Sequence, residues 1–206
     1  MNTETHEKLK TIKQSFRLSM NGTISHSMRT KGLNYKINWG VPLHELKVMA
    51  QSYGKDPILA AELWKEDIRE CKILATYIMP PEIMTPEITR NWMQQTSTQE
   101  IAELLAFNLF RYLPFANKIA HEFIASPQTI TKICGYQILS SLFADGQTPS
   151  QQNIDSFLNQ AKVTMEDTEI KTKHAAYNCI LRFCGLGESY TKAARKNLSH
   201  LDIFDD

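Results

Sequence analysis

Arg29, Lys31 and Lys36 interleave with Tyr35 and Trp39 in the segment SHSMRTKGLNYKINWG, Ser25 to Gly40. Cations set among aromatic rings are the side chains that hold phosphates and stack on nucleic-acid bases, so this stretch is the first candidate for a nucleic-acid surface. The same spacing also fits a helix–loop whose aromatics anchor the first repeat of a packed chain, and spacing alone favours that anchor. Other chemistries lack their residues. Cys71, Cys134, Cys179 and Cys184 form no C-x-x-C and lie in apolar-periodic stretches, as reduced core cysteines do. The six histidines include no pair at i, i+4, so no zinc site is expected, and no other metal or cofactor.

Charge distribution adds to this. The chain of 206 residues has a formal net charge of only +1, so it is no polybasic nucleic-acid magnet as a whole. Residues 1–55, however, carry nine Lys/Arg against three Asp/Glu, which predicts one positive face on a neutral body. Lys8, Lys10 and Lys13 are expected on a solvated helix surface. The polar start NTETHEKLKTIK has no apolar run of signal-peptide type, and nothing reaches membrane-spanning length, so the expectation is a soluble cytoplasmic protein with no membrane partner.

The elements that must position these residues read as helices throughout. Asp56-Pro57 and Thr85-Pro86 each place a capping side chain before a proline at the first helical position. Ser97 to Glu100 spells a capping box ahead of Ile101, Leu104 and Leu105. Thr3 to Met20 carries Leu9, Ile12, Phe16 and Met20 on one stripe and stops at Asn21-Gly22. Leu43 to Tyr53 predicts a helix with Leu43, Leu46, Met49, Ala50 and Tyr53 inward. Further starts are expected at Ala116, Ser126-Pro127, Thr148-Pro149, Asp167 and Glu188. No stretch alternates with period two. Roughly eleven short helices without strands exceed a four-helix bundle, and a curved all-α solenoid of paired antiparallel helices fits best. The expected organisation is one domain over residues 1–206: basic N-terminal helices and loop (1–40), stacked helix pairs (41–200) and a frayed acidic tail (201–206). Trp64 and Trp92 lie in amphipathic runs and are expected to pack between repeats.

The order of features resembles the HEAT-like-repeat family of DNA alkylation-repair enzymes, the alkylpurine DNA glycosylases. Trp39-Gly40-Val41-Pro42 with Leu46-Lys47 is similar to that family's aromatic-x-Gly-Val…Pro…Leu-Arg entry. LAAELWKEDIRECKIL (59–74), Ser97 to Ala106 and Phe123 to Ser126 follow in order, and AAYNCILR (175–182) looks like its Lys-Ala-x-x-Trp-x-Leu-Arg. The resemblance spans about Ser25 to Asn197 and implies a duplex DNA partner in a concave cleft.

Active members of that family place a Trp and two Asp in a Trp-Asp-x-x-Asp run, a phosphate-binding Arg, and a second Trp near the end. By this resemblance the first Trp falls on Gln99, the first Asp on Glu100 and the catalytic Asp on Glu103. The Arg falls near Ile133, beside Lys132, and the second Trp on Cys179, two residues from Tyr177. An alkylated purine is already a cationic leaving group, so the site must chiefly stabilise an oxocarbenium-like sugar, which a carboxylate does electrostatically. Glu103 supplies the charge, but its extra methylene moves it by about a bond length, and such misplacement costs about 10²-fold. Glu100 and Glu103 also suit a helix N-terminus, where acids favour the macrodipole. The resemblance therefore implies a DNA-binding protein with Glu103 as its catalytic candidate and Arg29, Lys31, Lys36, Trp39, Gln99, Lys132 and Tyr177 as its binding candidates. N-glycosylase action on alkylated purines (3-methyladenine or 7-methylguanine type) is expected to be weak or lost. The alternative is a non-catalytic helical scaffold for a protein partner.

Overall fold

The computed structural model describes residues 3–199, 201 and 204; the rest of the acidic tail lies outside the described residues. Among them are twelve α-helices: α1 Thr3–Leu18, α2 Gly22–Thr30, α3 Leu43–Tyr53, α4 Pro57–Lys65, α5 Arg69–Ile78, α6 Pro86–Gln94, α7 Gln99–Asn108, α8 Ala116–Ile124, α9 Thr129–Ala144, α10 Gln151–Glu166, α11 Ile170–Cys184 and α12 Glu188–Asn197. Two single 3-10 turns, Pro81–Ile83 and Phe110–Tyr112, punctuate them. The only extended pairing among the described residues is an isolated parallel bridge between Ile37 and Ile68. The all-helical expectation holds.

The chain divides into two compact units, Met1–Met84 and Thr85–Asp206. In the first, α4 packs on α1 and α5, and α5 also packs on α3. Leu9, Ile12 and Phe16 of α1 bury the predicted stripe. Met20 falls beyond the helix end and is 62% exposed. In the second unit α9 is central, packed by α7, α8 and α11, while α10 and α12 cover α11. Every second helix, α7, α9 and α11, thus forms a row. Gly135 lets α8 approach α9: a Cβ there would stand 2.7 Å from both the Ala120 carbonyl oxygen and the Ile124 nitrogen. Behind α9, Phe143, Phe157 and Phe183 meet with centroids 5.2–5.5 Å apart, the edge and tilted geometries aromatic quadrupoles prefer.

Asp56 and Thr85 cap α4 and α6 as expected, accepting from the Leu59 and Ile88 N–H groups. The starts at Leu43, Ala116 and Glu188 also stand as expected, whereas four others shift by one to three residues. Thr98, not Ser97, caps α7, so Glu100 is not the acid of a capping box. α9 begins at Thr129, with the Ser126 hydroxyl accepting from the Gln128 N–H in the turn before it. Ser150 caps α10 and Glu169 caps α11. Asp167 instead ends α10 and accepts from the Thr168 and Glu169 N–H groups, which hold its carboxyl below the usual range. Where several capping residues stand in a row, composition marks the start and local dihedrals choose the residue. Leu43 of α3 is 40% exposed, and only Leu46 and Ala50 on that helix are buried.

Candidate nucleic-acid interface

The first group of predicted residues lies in the first unit. Residues 22–30 form α2, the helical part of the helix–loop expected over Ser25 to Gly40, and Asn21 caps it by accepting from the Ile24 N–H at 3.0 Å. Arg29 is exposed in the last turn of α2, and Lys31 is exposed at its C-cap. The chain then runs extended to Pro42 and carries exposed Lys36 and half-buried Trp39.

Buried charge fixes that segment. Glu70 at the start of α5 is fully buried and Arg69 is 3% exposed. The Glu70 carboxylate accepts from the Trp39 N–H (3.2 Å), the Val41 N–H (3.3 Å) and the Arg69 guanidinium (3.2 Å). Arg69 also donates to the Val41 carbonyl at 3.1 Å, and its own N–H donates to the Ile37 carbonyl at 3.0 Å. A desolvated pair of charges is tolerated because each finds several hydrogen bonds. On the other side the Asn21 N–H donates to the Trp39 carbonyl at 2.8 Å. Gly40 makes this approach possible. Its φ is +71° and a Cβ would sit 2.2 Å from the Asn21 oxygen, so both backbone conformation and space demand glycine.

The result holds the Trp39 backbone from two sides. The Arg17 guanidinium lies 5.6 Å from the indole centroid, within cation–π range. Lys36 pairs with Asp67 at 3.3 Å across an exposed surface. Lys8 and Lys13, expected to be merely solvated, reach from α1 to Asp56 and Glu66 of the adjoining segments at 3.3 and 3.2 Å. Arg17 escaped the sequence reading, although it stands four residues from Lys13 and so shares its helix face.

The second group lies on the α7–α9–α11 row. Gln99 and Glu103 are half-buried on α7, and the Gln99 amide donates to the Glu103 carboxylate at 2.8 Å. Burial pushes the Cys134 thiol of α9 up, and the Glu103 charge adds to that. Lys132, with 17% of its side chain exposed, faces Asp167 at 4.0 Å. Tyr177 is half-buried on α11. The positions where the resemblance put the arginine and the second tryptophan are core: Ile133 is 1% and Cys179 0% exposed. Trp64 and Trp92 are buried at 3% and 6%, as packing residues are, and Lys72 covers the Trp64 ring at 4.4 Å. The other cysteines are free as well, with only Cys184 partly exposed. Among the described residues no cluster of His, Cys, Asp or Glu could hold a metal, and no helix is long and apolar enough to cross a membrane.

Two comparisons find counterparts. The family model described as "DNA alkylation repair enzyme" matches residues 12–191. A solved structure described as "A new family of proteins related to the HEAT-like repeat DNA glycosylases with affinity for branched DNA structures" superposes with a TM-score of 0.80 at 19% identity, covering 93% of this chain and 80% of that chain. No curated protein matches the chain. The likeness at that identity establishes a shared fold.

Proposed function

The chain belongs to the DNA alkylation repair enzyme family, and from that premise we propose that it is a cytoplasmic DNA-binding protein whose glycosylase chemistry is weak or lost. The observation that carries the binding half is the basic and aromatic surface of the first unit. Trp39 is pinned by Glu70 and Asn21, with Arg17 over its ring and Lys36, Arg29 and Lys31 exposed nearby in sequence. Exposed cations of this kind bind phosphate by releasing counterions, and a half-buried ring backed by a guanidinium adds a flat surface on which a base can stack.

The catalytic half rests on Glu103. A carboxylate on α7 stabilises an oxocarbenium-like sugar if it approaches the anomeric carbon, and Gln99 holds one of its oxygens in place. No aromatic wall stands at position 99, and position 179 is sealed in the core. Lys132 meets Asp167, so phosphate binding there requires exchange of one anion for another.

Duplex binding measured over a range of salt, with release of free base from methylated-purine DNA followed in parallel, tests both halves. The expected result is affinity that falls steeply with salt and base release close to the spontaneous rate. Binding indifferent to salt would remove the phosphate surface. Absence of DNA binding would leave the protein-scaffold reading in its place.

A further inference from the structure

A cavity of about 440 Å³ opens in the first unit between α1, the extended segment and the turn joining α4 to α5. This is within the range of about 300–1,000 Å³ typical of small-molecule sites. Lys13, Arg17, Lys36 and Lys65 line it together with Trp39, against two carboxylates, Glu66 and Asp67. Three of those cations are paired: Lys13 with Glu66, Lys36 with Asp67 and Lys65 with Glu62. Arg17 has no carboxylate within ion-pair reach among the described residues, and its contact is the Trp39 ring. The Lys36 and Asp67 side chains are 75% and 66% exposed, so their pair is weak and readily exchanged for a stronger anion.

The geometry points to a binding site for a single unpaired nucleotide of DNA, its base stacked against Trp39 and Arg17 and its phosphate held by Lys36 and Lys65. The inference rests on the DNA-binding reading and gives it a location and a preference. Arg17 lies over the Trp39 ring, and a guanidinium plane backed by an aromatic ring suits the π-face of any base. Two exposed ammonium groups at the rim suit the flanking phosphate as point charges. Paired duplex presents phosphates but keeps its bases stacked inside. The cavity therefore discriminates by structure, favouring bulges, where a base is already unstacked and extrusion costs least. All the residues that line this cavity belong to the first unit, whereas Glu103 belongs to α7 of the second.

The test compares two DNA probes of the same sequence, one fully paired and one with a single-nucleotide bulge bearing 2-aminopurine. The protein should bind the bulged probe roughly tenfold more tightly, the scale of one base stacked on an aromatic ring, and quench the 2-aminopurine. Trp39→Ala and Arg17→Ala should each weaken binding of the bulged probe more than binding of the paired one, and so shrink that preference. Trp39→Phe should retain most of it. Arg17 is exposed, so its replacement reports on binding even if Trp39→Ala disturbs the fold. Equal affinity for both probes, or a preference that survives Arg17→Ala and Trp39→Ala in folded protein, overturns the site while leaving DNA binding intact. No binding to either probe overturns the site and the DNA-binding reading together.

Discussion

Buried charge in the first unit sits at one place, Arg69 and Glu70, where it ties the residues around Trp39 to α5. Apart from Tyr136, whose hydroxyl donates to Thr164, the buried polar side chains described in the second unit are threonines, and its functional candidates Gln99, Glu103, Lys132 and Tyr177 stand half-buried on ordinary helix faces. The first unit thus fixes a surface segment with interactions that are costly to disturb. The second holds a carboxylate in a row of helices whose cohesion comes from apolar packing. Rigid placement of a binding group and retention of an acidic group are separate properties, and this chain assigns them to different regions.

Glu70→Ala is the most severe way to break the contrast. It takes a desolvated carboxylate from two N–H groups and from the buried Arg69 guanidinium, and removing one partner of such a pair costs about 3–5 kcal/mol. Urea denaturation should show that loss. In the second unit the comparable injury is steric. Cys179→Trp restores the aromatic residue that the family resemblance assigns there, but into a position with no exposed surface. Overpacking should cost about 1–3 kcal/mol or more, with no gain in base release. Tyr177→Trp, half-exposed on the same helix, should fold normally. Improved base release in Cys179→Trp would show that α11 can rotate to present that position.

Glu103→Gln should leave stability within about 0.5 kcal/mol, because the side chain is only half-buried and its hydrogen-bond partner is a neutral amide on its own helix. Any base release above the spontaneous rate in the parent protein should vanish in this variant. Activity that persists unchanged would dismiss Glu103. Lys36→Gln sharpens the other side of the comparison. It should lower DNA affinity and reduce the slope of log K against log salt by about 1, as loss of one phosphate contact does.

The fold was legible from its start signals where a single capping residue stands before a proline, as at Asp56-Pro57 and Thr85-Pro86. The exact starts near Ser97-Thr98, Ser126 and Asp167 were not, because several residues there could cap and only the dihedrals select one. α2 could be read only as part of a helix–loop, because none of its residues is buried and it carries no apolar stripe to set its bounds. Trp39 was visible as an aromatic beside cations. Its fastening was hidden, since Glu70 and Asn21 lie 31 and 18 positions away in the chain and nothing local marks either as its partner. Cys179 shows the reverse fault: a motif can be carried over in register while the side chain faces the core.

The smallest effect concerns acid, and it follows from the way each unit buries its ionisable groups. Glu70 meets a guanidinium and backbone donors. His121 on α8 is half-buried against neutral partners, with its Nδ1 3.2 Å from the Gln160 amide oxygen and 3.4 Å from the Ser156 hydroxyl. Burial lowers its pKa from the usual 6.5, and the contact with Gln160 only partly opposes this. The folded state therefore keeps His121 neutral where the unfolded chain has begun to protonate it. Its contribution to stability is complete above about pH 6.5 and is lost as pH falls from there through the lowered folded value. Urea midpoints for the parent and for His121→Gln should converge as the pH is lowered from neutrality towards 5, the parent showing the extra downward slope. Parallel slopes would mean that water or a rotated ring already stabilises the imidazolium, and the acid sensitivity would then belong elsewhere than α8.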